Sequence, residues 1–135
     1  MIGIDTNILL RYLLADDAGQ SPKAKRLIDG TCTPESPALI NAIVLAETYW
    51  YLALRRRVPK SEIIDAFDVL LGHPNLRIDE RDAALNALAA FEEGSAGFVD
   101  YFTACINTER NSIKTLTYDR KAARHSAFAL FEQES

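Results

Sequence analysis

Short apolar runs alternate with helix-period stretches along the whole chain. Ile2 to Asp5 reads as a strand, after which Ile8, Leu9, Leu10, Tyr12 and Leu13 recur at helical spacing. A polar link from Asp16 to Ser21 leads into a second helix ending near Gly30. Pro34 and Pro37 mark a loop, and Ala38–Ile40 is a second strand followed by a long helix from about Asn41 to Arg57. Ser61 is a candidate cap for the next helix, whose Ile63, Ile64, Phe67, Leu70 and Leu71 keep the 3.6-residue period until Gly72-His73-Pro74. Beyond it come a strand at Leu76–Ile78, an alanine-rich helix over Arg81–Phe91, and a helix from Phe98 to about Thr108. The last elements are a strand at Lys114–Thr117, a short helix at Arg120–Arg124 and a strand at Phe128–Phe131. Strands separated by helices predict an α/β fold, with a mostly parallel central sheet of about five strands and helices on both faces.

Composition narrows the class without changing the fold. At 135 residues the chain has the size of one domain, and 48% hydrophobic with 25% charged residues is a globular balance that excludes general disorder. Two cysteines, Cys32 and Cys105, match no metal spacing and suggest no disulfide framework, so buried thiols in a reducing cytoplasm are expected. No run approaches the roughly 18–20 apolar residues of a membrane span. The opening Met1–Asp5 has neither a basic flank nor a cleavage site, so no secretory leader is expected. The net charge of −4 argues against passive binding of nucleic acid. Two local basic strips, Arg55–Arg57 with Lys60 and Lys23–Arg26, read first as solvated helix faces.

In open parallel sheets, ligands sit beyond the carboxyl ends of the strands, so acids at those ends are the candidates for chemistry. Asp5 ends the first strand, Asp119 follows the fourth, and Asp100 lies in the first turn of its helix. Each also has an ordinary reading, because Asp caps helices and favours their first turn. Glu47 is harder to explain that way. It shares a helical face with Ile43, Trp50 and Leu54, which is expected to point toward the sheet. A carboxylate in an apolar stripe costs several kcal/mol unless it is paired or bound to a cation. The other reading leaves Glu47 exposed at the stripe's edge.

If the four acids converge, each pair of charges ~5 Å apart repels by about 3 kcal/mol at an effective dielectric of ~20. Such a cluster must protonate or bind cations. Oxygen donors without nearby His or Cys favour Mg²⁺ or Mn²⁺, which suit phosphodiester hydrolysis.

The residues at these positions resemble PIN domains of the VapC toxin type. The marks are Asp5-Thr6-Asn7 followed by Leu9, Leu10 and Arg11; Glu47 in Val44-Leu45-Ala46-Glu47; Phe98-Val99-Asp100-Tyr101; and Thr115-Leu116-Thr117-Tyr118-Asp119. The resemblance spans essentially the whole chain, as a single PIN-like domain over 1–135. It implies a Mg²⁺- or Mn²⁺-dependent endoribonuclease with the four acids in its site. It also implies a homodimer restrained by a VapB-type antitoxin in a prokaryotic toxin–antitoxin pair. Many relatives carry a further acid beside the last aspartate, where this chain has Tyr118 and Arg120, so one ion on Asp5 and Asp100 with a weaker site near Asp119 is expected.

On this reading Glu47 ligates the ion or orients the attacking water. Asn7 bonds a neighbouring carboxylate or only caps its helix, and Thr117 bonds into the acid cluster or simply ends a strand. Arg11 meets RNA phosphate or is solvated. Tyr49, Trp50 and Tyr51 are packing or dimer aromatics, or stack unpaired bases. Three other readings compete, one of them an aspartate-nucleophile phosphatase, which would need a second acid at position 7, where Asn7 stands. A phosphoacceptor receiver-like signalling domain would need an acidic pair after the first strand, where Asp5 is followed by Thr6-Asn7. A catalytically inactive PIN-like interaction domain would keep the fold without the chemistry.

Overall fold

The computed structural model describes residues 1–132; the three residues beyond, which the single-domain reading includes, lie outside the described residues. The chain divides into two compact units, the first from Met1 to Arg81 and the second beginning at Asp82.

The first unit is built on three parallel strands, β1 (Ile2–Gly3), β2 (Ala38–Ile40) and β3 (Leu76–Ile78), in that spatial order. The register sets Ala38 between Ile2 and Leu76, and Ile40 beside Ile78. Alternation along β2 and β3 buries Ala38, Ile40, Leu76 and Ile78, while Arg77 is exposed and Leu39 half-buried. The strands are linked by helices: α1 (Thr6–Leu14) and α2 (Gln20–Lys25) between β1 and β2, α3 (Ala42–Trp50) and α4 (Lys60–Gly72) between β2 and β3. Both α2 and α3 run on into wider π-helical turns, Arg26–Thr31 and Tyr51–Arg55. The core of this unit is formed by Leu9, Ile28, Ile40, Leu45, Phe67 and Leu70, all fully buried.

Local chemistry explains the helix boundaries. Asn41 caps α3 by accepting a bond from the Val44 amide (2.9 Å). The fourth helix begins at Lys60 with Pro59, not Ser61, at the cap position: proline has no amide to satisfy there and presets the backbone. A polar cluster ties three segments of the first unit. Asp29 accepts bonds from Tyr12 Oη (2.7 Å) and Lys25 Nζ (2.9 Å), and meets His73 Nε2 at 2.9 Å. The Asn75 amide donates to His73 Nδ1 (3.0 Å), which leaves the ring proton on Nε2 to be donated to Asp29.

The second unit carries α5 (Arg81–Glu93, whose first residue belongs to the first unit), α6 (Phe98–Glu109), and two parallel strands, β4 (Thr115–Thr117) and β5 (Phe128–Leu130). Ala83, Ala87, Leu88 and Phe91 of α5 and Phe98, Tyr101, Phe102 and Cys105 of α6 are buried, and the Phe98 and Phe102 rings stack at 5.3 Å. A short 3-10 turn, Ala122–Arg124, lies between the strands in place of the expected helix from Arg120.

The α/β class, the five strand positions and the parallel pairing are as the sequence predicts. The expected five-stranded sheet is instead a three-stranded and a two-stranded sheet among the described residues. Cys32 and Cys105 are buried and unbridged. Among the described residues no helix is long and apolar enough to cross a membrane.

Candidate active site

Asp5 stands at the turn from β1 into α1. Its backbone is extended and its Oδ1 accepts the Ile8 amide at 3.1 Å, an N-cap that satisfies one of the helix's orphan donors. The side chain is exposed, and one oxygen suffices for the cap. The next residue, Thr6, donates its hydroxyl to Glu47 Oε1 at 3.0 Å. The end of the first strand and the middle of α3 are thereby joined in the first unit.

Glu47 reaches this position from a helix face that sequence periodicity assigned the other way. Ile43 is 68% exposed, Trp50 48% and Leu54 69%, so the stripe that carries Glu47 faces out rather than toward the sheet. The buried stripe is Val44, Leu45, Thr48 and Leu52. The helix is apolar nearly all round, so hydrophobicity alone does not choose between its faces. Polarity does. Thr48 goes in at no polar cost because its hydroxyl donates to the Val44 carbonyl (2.7 Å), whereas the opposite choice would strip water from a carboxylate.

Asn7 and Arg11 sit one turn apart on α1. Arg11 Nε donates to Asn7 Oδ1 at 3.4 Å and its Nη1 to Asp16 at 2.8 Å. Arg56 Nη1 also donates to Asp16, at 2.8 Å. The Arg56 guanidinium is the main cause that holds the Asp16 carboxyl below the ordinary carboxylate range. Arg11 is thus tied to a carboxylate of its own chain rather than solvated.

The second unit carries the other two acids. Asp100 lies in the first turn of α6 and its Oδ2 accepts the Gly97 amide at 3.1 Å. Asp119 follows β4; its Oδ1 accepts the Lys121 amide at 2.8 Å and its own amide donates to Thr117 Oγ1 at 3.0 Å. Thr117 therefore shapes the turn that presents Asp119. Asn107 donates to Thr115 Oγ1 (3.0 Å), fixing α6 to β4.

Each of these aspartates thus caps the backbone that follows or precedes it, and each is exposed. As donors they are hard oxygens, which fits Mg²⁺ or Mn²⁺ rather than a soft metal. The structure brings Asp5 and Glu47 to one unit and Asp100 and Asp119 to the other; among the described residues no three His, Cys, Asp or Glu side chains form a group that could hold a metal ion. Sequence reasoning quoted Thr6 within its motif but gave it no role. Its signal is a hydroxyl beside a strand-end acid, which is weak without the position of Glu47.

The PIN-domain family model matches residues 2–127. The chain belongs to the PIN-domain family. The match takes in Asp5, Glu47, Asp100 and Asp119 of this PIN domain together. Among solved structures the PIN domain is similar to VapC20 of Mycobacterium tuberculosis, described as a sarcin–ricin loop cleaving toxin, with 22% identity over 98% of this chain and 100% of that one and a TM-score of 0.44. No curated protein matches it.

Proposed function

We propose that residues 1–135 act as one PIN domain that is a Mg²⁺- or Mn²⁺-dependent endoribonuclease, with Asp5, Glu47, Asp100 and Asp119 as its acidic residues. The observation that supports this most is the family match over residues 2–127, which takes in all four acids in their order along the chain. Asp5 and Asp100 would hold the ion, with Asp119 a weaker ligand. When bound, the ion supplies a more acidic water and neutralises charge at the phosphate. Glu47 orients the attacking water and takes its proton, and the Thr6 hydroxyl keeps one carboxylate oxygen engaged so that the other is aimed. Asn7 positions Arg11, and Arg11 meets the substrate's phosphate in exchange for Asp16.

The same reading extends to the role of a toxin in a toxin–antitoxin pair, with a VapB-type antitoxin as partner, a homodimeric state and a cytoplasmic setting. It follows from the resemblance of Asp5-Thr6-Asn7, Glu47, Phe98-Val99-Asp100-Tyr101 and Thr117-Tyr118-Asp119 to that branch of the family. Incubation with single-stranded and structured RNA in Mn²⁺ tests the reading. Cleavage that chelation stops and that Asp5→Asn and Asp100→Asn both suppress is the expected result. Intact RNA under every metal condition would leave the inactive interaction domain in its place.

A further inference from the structure

Trp50 is the chain's only tryptophan and is 48% exposed. Tryptophan is highly buried on average, so an indole left half in water at the end of α3 calls for a reason. Its surroundings supply three. Glu47 lies three positions earlier on the same helical face, and residues so spaced have Cβ atoms roughly 5–6 Å apart. That carboxylate is bonded to Thr6, the neighbour of Asp5, so the indole borders the candidate site within one unit. Arg55, which ends the π-helical turn after Trp50, and Arg57, two residues further on, are exposed and add positive charge to a chain whose net charge is −4. Arg56 between them is committed to Asp16.

An aliphatic strip would fit many partners. An exposed indole with a carboxylate of the site one helical turn before it, and exposed arginines five and seven positions after it along the chain, fits a narrower class. Single-stranded nucleic acid presents flat bases and charged phosphates in alternation, and aromatic faces and arginines engage these in turn. We propose that Trp50 is a positioning residue whose indole stacks on an unpaired base of the RNA substrate, while Arg55 and Arg57 meet the adjoining phosphates. This rests on the ribonuclease reading. A paired base offers no free face to the indole, so the stacking requires an unpaired strand.

Because no other tryptophan contributes, the indole emission reports on this position alone. In the Asp5→Asn variant, chosen to bind without cleaving, a single-stranded oligoribonucleotide should quench the emission saturably. The same sequence as a duplex should not. In Mn²⁺ assays of single-stranded RNA, Trp50→Ala should raise KM about tenfold or more with a smaller change in kcat, as the loss of one stacked base implies, and Trp50→Phe should restore most of it. Cleavage with an unchanged KM in Trp50→Ala, or binding without quenching, overturns the proposal. Emission that instead follows protein concentration, with Trp50→Ala lowering the oligomeric mass, means that a second copy covers the indole, and this also overturns it. If the wild-type chain cleaves no RNA, the ribonuclease reading fails on that result, and quenching by the single strand alone then decides the stacking.

Discussion

Thr6 Oγ1 donates to Glu47 Oε1 across 3.0 Å, joining positions 41 apart in the sequence. The bond couples the first turn of α1 to the solvent-facing stripe of α3. Replacing the hydroxyl by a methyl in Thr6→Val should lower stability by about 1 kcal/mol or less, the usual range for an exposed bond. Cleavage of RNA should fall by roughly fivefold, the rate equivalent of that energy, because Glu47 loses its fixed orientation. Thr6→Ser keeps the donor and should keep both quantities. Denaturant midpoints and single-turnover rates measure them.

Asp5 has two roles that substitution can separate. Asn caps helices as well as Asp does, so Asp5→Asn should leave stability within a few tenths of a kcal/mol while abolishing metal-dependent cleavage. Asp5→Ala removes the acceptor of the Ile8 amide and should cost about 1 kcal/mol as well. If Asp5→Asn retains full activity, Asp5 serves the helix alone.

Metal binding has a readout that does not require catalysis. An ion that binds the folded chain raises stability by about 2.7 kcal/mol at a hundredfold excess over its Kd. Titrating Mn²⁺ while following thermal unfolding should show such a rise. Asp100→Asn should remove it, and EDTA should reverse it. A flat titration for the wild-type chain would leave Asp5, Asp100 and Asp119 as backbone caps only, with Glu47 bonded to Thr6.

The Asp29 cluster predicts two pH limbs. Hydrogen bonds from His73 first, then Lys25 and Tyr12, hold the Asp29 carboxyl down at about 2. A folded value below the ordinary carboxylate range gives stability that is present above about pH 4 and lost as pH falls through about 2. Tyr12 goes the opposite way: burial first, then the Asp29 carboxylate, pushes its hydroxyl up to about 12. That contribution is intact below about pH 10 and lost as pH rises through about 12. Denaturant midpoints across both ranges should show both limbs, with Tyr12→Phe flattening the alkaline one and Asp29→Asn the acid one.

Gly94 follows α5, where a methyl group would stand 2.8 Å from Tyr101 Cζ and 2.9 Å from the Ala90 carbonyl, and closer still to the Tyr101 hydroxyl. The ring is buried and its oxygen accepts the Ala96 amide at 3.2 Å, so it has little room to yield. Gly94→Ala should destabilise the chain by about 1–3 kcal/mol, read by thermal unfolding.

The strands were legible because each is a short apolar run between breakers: Ala38–Ile40 and Leu76–Ile78 occur where expected, and Thr115–Thr117 and Phe128–Leu130 differ by one residue. Their division into two sheets was not, since pairing is a tertiary choice that leaves no mark on the runs themselves. Helix periodicity located α3 and misassigned its face, because Ile43 and Leu45 are equally apolar and only the cost of burying Glu47 separates them. The strand-end aspartates were visible as candidates. Their capping bonds were the ordinary alternative, and the structure realises it. The partner of Glu47 was invisible, as nothing in the sequence links position 6 to position 47. Arg11 looked free for the same reason, though Asp16 neutralises it.

The ladder of β1, β2 and β3 closes in the order in which its strands leave the ribosome, and its last register pair is Ile40 with Ile78. Among the described residues nothing downstream of that point contributes a rung. The amino-terminal sheet can therefore knit together while the remainder of the polypeptide is still being synthesised, with Glu47 already fastened to Thr6 before Asp100 and Asp119 have been translated.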